Sequence, residues 1–270
     1  MIKSNYFPNI EFKSNEEFFS KLKDYEKDII DFKQSQIYKS RDKGQSVRYV
    51  FDDNNTTIKA NLKAKDNFIY PVINSTGFLD YHDDVHFKGC YTKTVKEQQG
   101  RVFFVDTHGR KMSDIISRKS DIKMFVSDLS WNDLGQQYDG TTQCMVFEIS
   151  RDKVRPDALD LMDSEPDLEC SISMKYVKMF LAINSEDPNY KTNKEYWDSR
   201  IGDVINSDKA NKLNYFFGVE ELAIINEGSL CPITGGSNEA TRVYQNRDVA
   251  VDDTTKEPLE NTQTIKRRRN

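Results

Sequence analysis

Residues 170 to 184 read CSISMKYVKMFLAIN. Ser171, Ile172, Ser173 and Met174 alternate small polar with apolar side chains, the period-2 pattern of a strand with one buried face. Outward from it lie further short apolar or alternating runs: ELAIINEG at 221 to 228, TQCMVFEIS at 142 to 150, IKMFVSDLSW at 122 to 131, RVFFVDT at 101 to 107 and NFIYPVIN at 67 to 74. Turn residues separate most of them, including Asp139-Gly140 and Pro166-Asp167. The spacing predicts a mostly antiparallel β core.

Helices are expected around that core. Ser14 and Glu17 form a capping-box pattern. Phe18, Leu22, Tyr25, Ile29 and Phe32 then recur at spacings of four and three, so residues 14 to 40 read as one amphipathic helix. Its apolar stripe suits packing on its own domain or on a partner, including a second copy. Shorter helices are expected over residues 156 to 163 and roughly 192 to 212. Residues 41 to 66 are charged, with one strand-like piece, SVRYVF, before a DDNN turn. The fold class is α+β with peripheral helices. The chain divides into an N-terminal amphipathic segment (1–45), a β core (46–245) and a polar tail (246–270) that ends in KRRRN and reads as disordered.

Composition narrows the function classes. Of the 270 residues 31% are charged and 37% hydrophobic, and the net charge is −5. That balance argues against generic binding to nucleic acid or an anionic membrane. No apolar run of ~18 residues is present, so no membrane span is expected. MIKSNYFPNIEF at the start lacks an apolar signal core, which points to a cytoplasmic protein. Cys90, Cys144, Cys170 and Cys231 have no CxxC spacing, so a structural zinc is not expected and the cysteines read as reduced packing residues. No sequence feature implies a cofactor.

The chain has three histidines, His82, His86 and His108. His82 and His86 have the i, i+4 spacing that suits a metal on a helix, but LDYHDDVHFKG has no helical stripe and reads as a loop or strand end. His108 ends an apolar strand, and Gly109 after it permits a sharp turn. A histidine at one strand end and Ser171 in another can supply a general base and a nucleophile for acyl transfer. Ser173 shares the face of Ser171 and competes with it.

The order of four segments resembles the prohead proteases of tailed bacteriophages, which belong with the herpesvirus assemblin-type serine proteases. FLDYHDDVHFKGCYTKTVKE (78–97) is similar to an Asp-rich strand leading to a glycine, an aromatic and a short helix. VFFVDTHG then matches the strand that delivers the catalytic histidine, and CSISM resembles the nucleophile strand. ELAII, from Glu221, resembles the Glu-apolar-small-apolar-apolar strand that closes the domain. The similarity spans about residues 70 to 240. Three positions depart from the pattern: Ser173 replaces a glycine, Glu169-Cys170 replace Gly-Leu, and Ala223 stands where a serine is common.

The resemblance implies an assemblin-like barrel and a serine endopeptidase with His108 as base and Ser171 as nucleophile. Glu221 is the first choice to orient the imidazole, with Asp106 second and His82 or His86 as alternatives. It also implies cleavage of scaffold and major capsid proteins, and of the chain itself, inside an assembling procapsid in the host cytoplasm. The alternative is a catalytically inactive structural or scaffold-associated protein with the same fold.

Overall fold

The computed structural model describes residues 4–38, 67–165, 168–231 and 242–245. Nine strands and six α-helices lie within them. In chain order they are α1 (Asn15–Asp24), α2 (Glu26–Ser35), β1 (Phe68–Ser75), β2 (Asp84–His86), α3 (Thr92–Glu97), β3 (Phe103–Asp106), β4 (Ile115–Ser117), β5 (Ile122–Ser130) and β6 (Thr141–Ser150). Then follow α4 (Pro156–Ser164), β7 (Glu169–Ile183), α5 (Lys191–Arg200), α6 (Ser207–Leu213), β8 (Tyr215–Cys231) and β9 (Arg242–Gln245). The expected SVRYVF strand, the Pro166-Asp167 turn and the polar tail lie outside the described residues.

The strands form two sheets. One has the order β5-β6-β1-β9, with every pairing antiparallel. The other is built on the long strand β8. Antiparallel β7 covers one edge of β8; β2 and β3 share the other edge, both parallel to it, and β4 follows β3. The mixed α+β class is therefore as the alternation predicts. No closed barrel forms among the described strands: the outer strands β5 and β4 belong to different sheets and do not pair with each other.

The sheets pack face to face. Phe104 of β3 meets Phe147 of β6 edge-on, with centroids 6.1 Å apart. Gly228 of β8 lies opposite the same ring; a Cβ there would come 2.8 Å from Phe147 Cε2 and 3.0 Å from Ile73 Cγ2. Glycine is thus what allows the sheets to approach at that point.

The N-terminal helix is broken in two at Tyr25. Ser14 caps α1 by accepting the Glu17 N–H, as the capping pattern predicts. Phe12, Phe18, Phe19 and Leu22 join the core cluster that β7 and β8 also line. Tyr25 and Phe32, from the same predicted stripe, are exposed. Ile29, beyond the break, still packs against that core. The region 192–212 is likewise two helices, α5 and α6, separated by a 3-10 turn at Ile201–Asp203. No helix among the described residues is long and apolar enough to cross a membrane. All four cysteines are buried free thiols.

Candidate active site

β7, β8 and β3 are neighbours at one end of the second sheet, and each contributes to one cluster on the sheet face turned away from the core. Ser171 of β7 stands opposite Ser229 of β8, and Ser229 stands opposite Val105 of β3. His108 follows β3 by two residues.

The His108 ring bridges two partners. Its Nε2 lies 2.9 Å from Ser171 Oγ, and its Nδ1 lies 2.8 Å from Glu227 Oε1. The Glu227 carboxylate can only accept, so Nδ1 carries the proton and Nε2 presents its lone pair to the serine hydroxyl. Ser229 completes the arrangement: its hydroxyl donates to Glu227 Oε2 at 2.9 Å and accepts the His108 backbone N–H at 2.8 Å. Ser171 is 2% exposed, so the hydroxyl and imidazole meet largely away from water.

The backbone that presents the imidazole is unusual. Thr107 and His108 both have positive φ, 43° and 56°, a region that non-glycine residues enter at some cost. Three bonds hold the turn: Thr107 N–H to Leu230 O (2.9 Å), Gly109 N–H to Asp106 O (2.7 Å) and the His108 N–H to Ser229. Gly109 does not carry the positive φ expected of it. It is needed for space, because a Cβ there would collide with the Asp114 side chain.

A bulge aims the carboxylate. From Met174 to Ile172 is two steps on β7, whereas their partners Ile224 and Gly228 are four steps apart on β8. Asn226, within the extra length, has φ 65°. Such bulges re-aim side chains next to functional sites, and here Glu227 reaches His108.

Glu221 does not join the cluster. It lies six residues back along β8, opposite Lys178, and its carboxylate pairs with Lys93 at 2.8 Å near the surface. This corrects the expectation from ELAII: the carboxylate that meets the imidazole is Glu227, six residues further along the same strand. Asp106 faces Arg155 at 3.7 Å and bonds the Thr107 hydroxyl instead of the imidazole. Ser173 shares the outward face but has no bond to His108; Ser171 has it.

His82 and His86 belong to a separate cluster under α2. Lys33 Nζ lies 2.6 Å from Asp84 Oδ1, with both residues buried, and donates to His82 O at 2.9 Å. Asp80 Oδ1 accepts the N–H groups of His82 and Asp84. Burial is the main force on all three titrating groups: it raises Asp80 and Asp84 and pushes His86 down to about 3. No group of side chains suited to a metal is present among the described residues.

A cleft of about 530 Å³ opens beside His108 and Glu227, with Ser173 and not Ser171 in its lining. Phe103, Val105, Ile115 and Ile225 give it an apolar floor, Arg110 and Lys111 stand on its wall, and Ser173 and Glu227 reach its edge. Met112, at the rim, is 90% exposed. No protein-family model, curated protein or solved structure matches the chain.

Proposed function

We propose that this protein is a serine endopeptidase of the prohead-protease kind, with Ser171 as nucleophile, His108 as general base and Glu227 as the group that orients the imidazole. The observation that carries the reading is the single histidine ring bonded at once to a serine hydroxyl and a buried carboxylate. Hydrogen-bonded chains of this type activate serine on unrelated folds, and geometry defines them better than sequence position.

In the proposed cycle His108 Nε2 takes the Ser171 proton as Oγ attacks a peptide carbonyl. Glu227 stabilises the imidazolium through Nδ1–H. The same Nε2–H then protonates the leaving amine, and water resolves the ester by the reverse proton path. Arg110 and Lys111 are the cations available to the developing oxyanion. Each well-placed donor at such a site contributes about 3 kcal/mol.

The order of histidine strand, nucleophile strand and carboxylate strand supports placing the protein with the assemblin-like enzymes, the two sheets representing an opened form of that barrel. Scaffold and capsid proteins in an assembling procapsid are then the substrates, and extended segments of them lie across the cleft. The test is fragment mapping of the wild-type chain against Ser171→Ala and His108→Ala, each co-expressed with its neighbouring capsid and scaffold proteins. Discrete cuts that vanish in both variants support the reading. Cuts that persist in both variants, or no cuts in any mixture, refute it.

A further inference from the structure

Three contacts around the imidazole meet at one atom. Ser229 Oγ donates its proton to Glu227 Oε2 at 2.9 Å and accepts the His108 backbone N–H at 2.8 Å. It also lies 3.3 Å from His108 Nδ1. A hydroxyl has one proton and two lone pairs, and here the proton is committed to the carboxylate. Nδ1 donates to Glu227 Oε1, which is closer at 2.8 Å. Ser229 is therefore the anchor of the His108–Glu227 pair and not a rival for the Nδ1 proton.

Neither member of that pair is fixed by its own backbone. Glu227 follows Asn226, whose φ of 65° marks the bulge in β8, and His108 sits in a turn at φ 56°. A glutamate side chain also has several rotatable bonds, and holding it in one rotamer costs entropy. Ser229 has the opposite character. It lies inside β8, with Ser171 of β7 opposite it on one edge and Val105 of β3 on the other, and it is fully buried. Side chains on such paired strands are placed more precisely than those on loops. One short side chain thus ties the carboxylate and the histidine turn to the ladder that carries the nucleophile. Ser229 is not among the residues that line the cleft, so it acts on the imidazole and not on a bound peptide.

We propose that Ser229 is a positioning residue for the reaction, one that sets the Glu227 carboxylate against His108 and holds the histidine turn in place. The inference rests on the serine-endopeptidase reading and adds a fourth residue to its triad. The Ser229 hydroxyl keeps its proton throughout. Its bond to Oε2 stays with the ionised carboxylate, so that Oε1 faces Nδ1–H while Nε2 takes the Ser171 proton and passes it to the leaving amine. Loss of one hydrogen bond to a charged group corresponds to about 10- to 100-fold in rate when that bond serves the reaction.

The experiment measures how fast a fluorophosphonate labels Ser171 in the full-length chain as probe concentration is varied, with the adduct located by peptide mass. Wild type, His108→Ala, Ser229→Ala, Ser229→Cys, Ser229→Thr, Glu227→Gln and the double variant Ser229→Ala/Glu227→Gln are compared. Ser229→Ala is expected to lower the maximal labelling rate about 10- to 100-fold, with the half-saturating probe concentration unchanged. Ser229→Cys fills the same space with a weak donor and is expected to fall with it; it decides the matter if the alanine variant does not fold. Ser229→Thr keeps the hydroxyl and is expected to recover most of the rate. With Glu227→Gln already in place, Ser229→Ala is expected to cost about threefold or less, because residues that act as a unit are not additive. Labelling at the wild-type rate in Ser229→Ala or Ser229→Cys, or a Ser229→Ala loss undiminished in the Glu227→Gln background, overturns this inference, while His108-dependent labelling of the wild type keeps the endopeptidase reading standing. A Ser171 that takes no label in the wild type, or takes it equally well in His108→Ala, overturns both.

Discussion

Two clusters in this protein combine histidine with carboxylate, and they use the pair for opposite ends. Around His108, every polar group of the triad has a directed partner, and the cluster edges a cleft. Around His86, the groups are sealed under α2. Asp80 Oδ2, Asp84 Oδ2 and His86 Nε2 find no hydrogen-bond partner among the described residues, and the one buried cation, Lys33, is committed to Asp84. Proton transfer needs a base with a lone pair aimed at a donor and room for a substrate. The first cluster meets both conditions. The second instead ties the N-terminal helices to β2, at the cost of holding titrating groups away from water.

The largest effects separate the clusters by activity. Ser171→Ala and His108→Ala are each expected to lower cleavage by about 10⁴-fold or more, while Ser173→Ala and His82→Gln leave it near wild type. Peptidase rates on a scaffold-derived peptide measure this; equal losses at Ser171 and Ser173 erase the distinction between the two serines. Glu227→Gln keeps the shape but no longer holds the imidazole in the working tautomer, so a loss of about 10² to 10⁴ in kcat/KM is expected. Glu221→Gln, whose carboxylate faces Lys93, is the matched control. A larger loss at Glu221 than at Glu227 breaks the proposed triad.

The second cluster answers to stability instead. Lys33→Met leaves Asp84 buried without its cation and is expected to cost about 3 to 5 kcal/mol, read as a lower urea midpoint. An unchanged midpoint means that α2 is not held through this pair. His86 gives the smaller, pH-dependent effect. Its folded pKa of about 3 lies below the usual 6.5, so the unfolded chain takes up the proton first. The fold loses stability as pH falls from 6.5 towards 3, by roughly 4 to 5 kcal/mol at the limit. Asp80 and Asp84 are raised by burial and pull the other way as pH falls towards the ordinary carboxylate range, since the fold prefers them protonated. Removing only the histidine contribution, as in His86→Gln, is expected to move the acid-unfolding midpoint to lower pH, followed by tryptophan fluorescence. A midpoint that stays put shows that His86 does not set it.

Much of this was legible in the sequence because it depends on local periodicity. The alternation in CSISM and the apolar run before His108 locate two strands and the faces of their side chains, and Ser14 with Glu17 marks a helix start. The third member of the triad depends on register, which local pattern does not carry. Glu221 and Glu227 lie six residues apart on one strand, and the register of β8 against β7 and β3 decides which carboxylate meets His108. The break at Tyr25 was hidden for the same reason: the apolar stripe continues through it, while Tyr25 and Phe32 end exposed and Ile29 still packs against the core. The partition of the strands into two sheets is set by long-range pairing along β8, one edge of which takes both β2 and β3 although they lie far before it in sequence.

In the proposed mechanism, one of the two serines on the outward face of β7 is activated by His108. Peptide-level mass mapping after fluorophosphonate treatment of the full-length protein tests it most directly. A single adduct on Ser171 is expected, absent in His108→Ala and unaffected by Ser173→Ala. An adduct on Ser173, or one on Ser171 that forms equally well without His108, contradicts it.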